Sequence, residues 1–363
     1  MTIYLDYQAT TPLAPEVFDA MVPLLRDQFA NPHSAHQLGR AVAAQVERAR
    51  DEICRLLPDG GRLIFTSGAT EALNLAIQGA PAGDIVTIAT EHAAVLDTVA
   101  ALEAKGRRVI ILPVGSDGLV DLNAAEAAIR PGVGLVAVML VNNEIGVIQP
   151  VDKLAALAHR AGALFLCDAV QAYGRVPIPQ SCDMVAISAH KIHGPKGVGA
   201  LWLREGEQLS PVMYGGGQEA GLRSGTLSPA LCAGFGAAAR LMRERAEQDG
   251  AHVETLWQHA CILFDGWTLN GSADGRYHGN INIRRDGLDG ARLLSNCRDV
   301  AFSLGSACAS GSGRPSHVLR AIGLSDRQAR GSVRIGFGRY TTLAELESAA
   351  KIMNEAAAVQ AAP

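Results

Sequence analysis

The sequence predicts an α/β protein in which a large, mostly parallel seven-stranded sheet is followed by a smaller C-terminal α+β domain. Three observations carry that prediction. Seven short apolar runs recur between residues 63 and 203, and they are continuous rather than alternating, as in strands covered on both faces. Amphipathic stretches long enough to serve as crossover helices lie between them. Beyond about Thr226 the pattern changes to long helices and then to shorter alternations of strand and helix.

In chain order the runs are Leu63–Phe65, Ile85–Ile88, Val109–Leu112, Leu135–Val141, Leu164–Leu166, Val185–Ile187 and Ala200–Leu203. Helical patterns separate them at Ala93–Lys105, Leu122–Ile129 and Leu154–Arg160. A long helix is expected over Pro229–Glu247 and another over Glu254–Phe264. The expected division is an N-terminal segment, 1–14, packing on the small domain, a large domain, 15–245, and a small domain, 246–363. No internal repeat occurs, and the only low-complexity tracts are the small-residue stretch Gly305–Gly313 and an Ala-rich tail.

A chain of 363 residues that is 48% hydrophobic can bury a sizeable core. Its formal charge of -4 comes without a long run of either sign, which leaves no electrostatic footprint for nucleic acid or an anionic membrane. No segment approaches the roughly 20 apolar residues of a membrane span, and Ile3-Tyr4-Leu5-Asp6 opens without a basic and apolar leader, so a cytoplasmic protein is expected. The seven cysteines are scattered with no C-x-x-C pair, which argues against a disulfide framework or a zinc site.

The chemistry concentrates where strands end. Parallel strands share one carboxyl edge, the usual ligand edge of an α/β sheet. Lys191 follows the run ending at Ile187 and is placed like a Schiff-base nucleophile, whereas Asp168 closes Ala163-Leu-Phe-Leu-Cys-Asp168, where a buried carboxylate needs a cation or a protonated ring nitrogen. Pyridoxal 5'-phosphate meets both needs, its aldehyde taking the amine and its pyridinium the carboxylate. An ordinary Asp–Lys ion pair is the bland alternative. Other strand ends add Thr66-Ser-Gly-Ala69-Thr70-Glu71, a turn opening a helix whose free N–H groups favour a phosphate. Thr90-Glu-His92, Asn142-Asn143-Glu144, Gln171, Ser188 and His190 also belong to this edge. Singly these could be caps, turn residues or surface groups, but together they indicate a site. Neither Gly215-Gly-Gly217 nor Gly194-Pro-Lys-Gly197 fits a nucleotide-binding loop, and Ser224-Gly-Thr226 offers hydroxyls to a phosphate across a dimer interface.

Between Phe302 and Val318 the chain has few groups to bury, so this stretch is expected to be exposed and mobile, with Cys308 at its centre. A displayed thiol near Arg314 would favour the nucleophilic thiolate. The other six cysteines read as structural. In Ser332–Arg339 alternation puts Arg334 opposite Val333, Ile335 and Phe337, and its guanidinium fork suits a substrate carboxylate.

These residues resemble the pyridoxal-phosphate-dependent cysteine desulfurases of the class V aminotransferase superfamily. The motifs are Leu5-Asp-Tyr-Gln-Ala-Thr-Thr11, Asn31-Pro-His-Ser-Ala-His36, Phe65–Glu71, Thr90-Glu-His92, Asn142–Gly146, Cys167–Gln171, Ser188-Ala-His-Lys191, Arg223–Thr226, Ser306-Ala-Cys-Ala-Ser310 and Arg334–Arg339. The long stretch around Ser-Ala-Cys is similar to the nitrogen-fixation and housekeeping iron-sulfur group. The resemblance implies a fold-type I transferase, Lys191 as the cofactor lysine, Asp168 as partner of the ring nitrogen, and Gln171 and Asn143 near the phenolic oxygen. It further implies that His92 stacks on the ring and moves protons, and that Ala69, Thr70, Ser188 and His190, with Thr226 of a second subunit, hold the phosphate. Arg334, with Asn31, would bind the substrate carboxylate, and Cys308 would accept sulfur from L-cysteine as a persulfide. The implied partners are a second copy of the chain and a protein sulfur acceptor, a cluster scaffold or sulfur carrier. Longer relatives use a C-terminal tail to dock a scaffold, and this sequence stops at Pro363. The rivals are a selenocysteine lyase or another class V aminotransferase, sharing Lys191 and Asp168, of which a transaminase would not need Cys308, and a cofactor-free scaffold protein.

Overall fold

The computed structural model describes residues 2–304 and 315–361. All seven apolar runs form strands of one sheet. With β1 at Ile3–Tyr4, they are β2 (Gly61–Thr66), β3 (Asp84–Ile88), β4 (Val109–Leu112), β5 (Val133–Met139), β6 (Leu164–Asp168), β7 (Met184–Ser188) and β8 (Gly199–Arg204), in the spatial order β2-β8-β7-β6-β5-β3-β4. Only β8 runs against its neighbours. The connection 189–198 carries a single 3-10 turn and no crossover helix, so the chain must fold straight back beside β7.

Burial on both faces explains the continuous runs. Val86, Val136, Val138, Phe165, Cys167, Val185 and Ile187 enter one core. The residues between them, Ile85, Leu135, Ala137, Leu166, Met184 and Ala186, enter a second core across the sheet. Each large aliphatic side chain so buried contributes roughly 1.5–3 kcal/mol, so a one-residue slip in register would be costly.

A second, antiparallel sheet contains β9 (Thr268–Leu269), β10 (Asn280–Arg284), β12 (Ser303–Leu304) and β13 (Ser332–Gly336) in the order β12-β13-β10-β9, while β11 (Val300–Ala301) pairs in parallel with β1. Ile281, Ile283, Val333, Ile335 and Phe337 pack with Trp257, Leu346 and Met353 of the flanking helices, and Leu5 joins this core whereas Ala14 belongs to the first. The intervening residues therefore cross from one sheet to the other. The two long helices differ from the expected bounds: they are Pro229–Glu244 and Ala246–Leu263, meeting at Arg245 where the backbone leaves helical geometry (φ -109°, ψ 8°). Glu247 and Asp249 in the first turn favour the earlier start of the second helix through its dipole.

Candidate active site

The carboxyl ends of the parallel strands open into a cavity of about 640 Å³ between the two sheets. Its wall brings together Ala69, Thr70, His92, Asn143, Asp168, Gln171, Ser188, His190, Lys191 and Arg334, all selected from the sequence. Thr226 and Asn31 are exposed and do not line it, and the Asn31 side chain accepts from the backbone N–H of His33 at 2.9 Å. Cys308 lies outside the described residues. A smaller cavity of about 280 Å³, lined by Tyr7, Arg175, Arg276 and Arg339 among others, contains none of the selected residues.

β6 carries Asp168 to the floor of the site, where one carboxylate oxygen accepts the Val170 N–H at 3.0 Å. Burial raises its pKa, opposed by that N–H and by the nearby His92 and Lys191. Lys191 closes the 3-10 turn after β7, and its ammonium donates to the carbonyls of Gln8 and, at 2.9 Å, Ala9. The Gln171 amide donates to the same Gln8 carbonyl at 3.0 Å. Thr11 binds the His190 carbonyl through both its N–H and its hydroxyl. The His190 ring is 3.1 Å from the Thr10 hydroxyl, and burial, with Lys191 and Lys196 nearby, pushes its pKa down to about 4.

His92 caps the helix Ala93–Glu103, its Nδ1 accepting the Ala94 N–H at 3.0 Å. That bond occupies the Nδ1 lone pair, so a neutral ring carries its proton on Nε2. Burial holds the pKa of His92 below its ordinary value, with Asp168 opposing. Its neighbour Glu91 is fully buried, accepts the Met139 N–H at 2.5 Å, and has a pKa raised well above the usual range by burial and then by Asp168.

At the other end of the cavity the helix Ala69–Gly79 begins behind Gly68 with no side-chain cap, leaving its first-turn N–H groups to a ligand. Gly199 of β8 makes this approach possible, because a Cβ there would lie 2.6 Å from the Gly68 carbonyl carbon. Pyridoxal phosphate fits this arrangement. The uncapped helix terminus suits its phosphate, the Asp168 carboxyl its ring nitrogen, and the Lys191 amine its aldehyde. The buried and unpartnered Oδ1 of Asn143 marks a further polar position awaiting a ligand.

Arg334 is 2% exposed. Its Nη1 donates to the Asn143 carbonyl at 3.0 Å and its Nη2 to Asp6 at 2.8 Å and Ser303 at 3.1 Å. The wall residues Asp6, Gln8, Ala9, Thr10 and Ser303 carry no role in the sequence reading. The signal for the first four is the motif Leu5–Thr11, a polar run after the short apolar start Ile3-Tyr4-Leu5. Of the cysteines read as structural, Cys167, Cys182, Cys232 and Cys297 are buried, but Cys261 is exposed on its helix.

An α/β fold with a lysine, a carboxylate and an uncapped helix terminus around one cavity defines a cofactor-binding transferase site of the pyridoxal-phosphate kind. Residues 3–348 match the family model described as aminotransferase class-V, and the chain belongs to that family. It is 45% identical to the mitochondrial cysteine desulfurase of Eremothecium gossypii over 369 residues, 97% of this chain and 75% of that protein. It is 42% identical to the cysteine desulfurase IscS of Rickettsia bellii, covering 97% of this chain and 90% of that one. Among solved structures, a NifS-like protein superposes with a TM-score of 0.91 at 31% identity, covering 98% of this chain and 99% of that one. SspA in complex with cysteine gives a TM-score of 0.83 at 33% identity, covering 94% and 100%.

Proposed function

We propose that this protein is a pyridoxal-phosphate-dependent cysteine desulfurase that converts L-cysteine to L-alanine and passes the sulfur, as a persulfide on Cys308, to an acceptor protein for iron-sulfur cluster or thio-cofactor assembly. The observation that carries this reading is the enclosure of Lys191, Asp168, His92 and Arg334 by one cavity. The cofactor, when bound, supplies an aldehyde for amines and an electron sink for the α-carbon. Lys191 would offer the amine that anchors it, Asp168 would pair with its ring nitrogen, and Gln171 and Asn143 would serve the phenolic oxygen. Ala69, Thr70, Ser188 and His190 would hold the phosphate together with Thr226 of a second copy. The exposure of Thr226 outside its own cavity supports the homodimer.

Arg334, with Asn31, orients the substrate carboxylate. His92, neutral with its proton on Nε2, would move protons at the reacting carbons, and the Lys191 amine would serve as the base for the α-proton. Cys308 thiolate attacks the substrate sulfur, so an S–S bond forms as Cβ–S breaks, and the three-carbon remainder leaves as alanine after protonation. Unpaired thiols throughout the described residues support a reducing, cytoplasmic setting.

The test is production of alanine and sulfide from L-cysteine in the presence of a thiol reductant. Cys308→Ser should lower both by about two orders of magnitude or more while leaving cofactor binding intact. Undiminished alanine from Cys308→Ser, or transamination by both proteins, would refute the desulfurase reading in favour of another class V activity.

A further inference from the structure

The proposed carboxylate clamp already holds a carboxylate. Arg334 makes its one ion pair among the described residues with Asp6, Nη2 to Oδ1 at 2.8 Å, and the Asp6 side chain, 20% exposed, faces the same cavity. Ser303 locks the pair by donating to Asp6 at 2.8 Å while accepting from Arg334. Backbone contacts hold Asp6 beside β13, since Gly336 N–H donates to the Leu5 carbonyl at 2.8 Å and Asp6 bridges Gly336 in register. A guanidinium as buried as Arg334 needs such a counter-charge. The price is paid in ligand selectivity. The pair presents little net charge to the cavity, one Nη2 position is shared, and the other acid lining the cavity, Asp168, lies on the opposite sheet.

We propose that Asp6 sets the charge selectivity of the pocket: as counter-ion of Arg334 it admits an amino acid with one carboxylate and a neutral side chain, and disfavours one that brings a second anionic group. This rests on the assignment of Arg334 as the carboxylate clamp. The physical basis is that an uncompensated buried cation would attract a second anion, whereas a fixed carboxylate within the same hydrogen-bonded cluster repels it.

L-Asparagine and L-aspartate are matched in shape and differ in side-chain charge, so the ratio of their dissociation constants on the cofactor-loaded enzyme, measured by calorimetry, reads the effect without turnover of cysteine. Wild type should favour asparagine. Asp6→Asn, which keeps an acceptor for Arg334 and Ser303, should narrow the ratio by about tenfold or more. Asp6→Glu and Ser303→Ala, which keep the charge, should leave it within about twofold. Arg334→Lys should weaken both ligands. A ratio unmoved by Asp6→Asn while Arg334→Lys weakens both refutes the role of Asp6 alone. Affinities untouched by Arg334→Lys refute the clamp and this inference together.

Discussion

His193 supports the wall of the site and should make stability depend on pH. It lies two residues past Lys191, is 3% exposed, and sits at φ +66°. Its N–H donates to the Thr11 hydroxyl at 2.7 Å and its Nδ1 to the Pro12 carbonyl at 3.0 Å, fastening the end of the N-terminal segment. Tyr340 and Tyr7 pack edge-on against the ring. Burial first, then Arg339, lowers its pKa to about 3. A histidine depressed in the folded state contributes stability that is complete above its unfolded pKa of roughly 6.5 and is lost as pH falls toward the folded value. Between pH 7 and pH 5 the unfolded chain takes up most of a proton that the folded chain refuses, which amounts to about 2 kcal/mol. His193→Asn removes the titration, keeps an N–H donor for Pro12, and tolerates the left-handed backbone. Urea unfolding of both proteins at the two pH values, in the same cofactor state, should show wild type losing about 2 kcal/mol more than the variant on acidification. His190 and His92 act in the same direction, and buried Glu91, Glu144 and Asp168, with raised pKa values, act in the opposite one, but all five are common to both proteins and largely cancel in the difference. Equal losses in wild type and variant would refute the reasoning.

Gly199→Ala would place a Cβ 2.6 Å from the Gly68 carbonyl carbon and 2.7 Å from the Ile187 carbonyl oxygen, all backbone, and should move the uncapped helix start away from β8. The expected result is a loss of about 1–3 kcal/mol of stability together with weaker pyridoxal phosphate binding, read by titrating cofactor-free protein. Arg50→Ala should leave the Glu219 carboxylate, 4% exposed and accepting the Phe65 N–H at 2.6 Å, without its cation, costing about 3–5 kcal/mol in urea unfolding. Restoring part of that loss with Glu219→Gln in the same chain would confirm that the unpaired charge is the cause.

The large sheet was legible because its signal is local: a strand covered on both faces must be apolar at every position, and β5, Val133–Met139, is buried throughout. The residues just beyond such strands inherit their location from the topology, so Asp168, Ser188, Lys191 and His92 could be gathered from the sequence before their geometry was known. What local pattern cannot carry is contact between distant segments. Asp6 and Arg334 are separated by 328 positions and Gln8 and Lys191 by 183, and nothing in the composition of Asp6-Tyr-Gln-Ala-Thr announces either partner. Cys261, expected to be structural, differs from that expectation for a related reason. Its place in a helical pattern gives no information about which neighbours cover its face, and the side chain is exposed.

The N-terminal segment ties the two sheets together at the site. Lys191 hangs from the end of β7 in one sheet and Arg334 from β13 in the other, so the distance between the proposed amine and carboxylate positions depends on how the two sheets are joined. Residues 6–9 touch both ends, Asp6 at Arg334 and the Gln8 and Ala9 carbonyls at Lys191, while Gln8 also donates to the Gly279 carbonyl at 2.8 Å and receives Gln171. The backbone of Gly336 comes so close that a Cβ there would fall 1.7 Å from the Gln8 side-chain oxygen. An extended segment held this tightly between two rigid sheets acts as a spacer. An amino acid spanning the site meets an amine and a guanidinium whose separation is set before it binds, which is the preorganisation that positioning a small substrate requires.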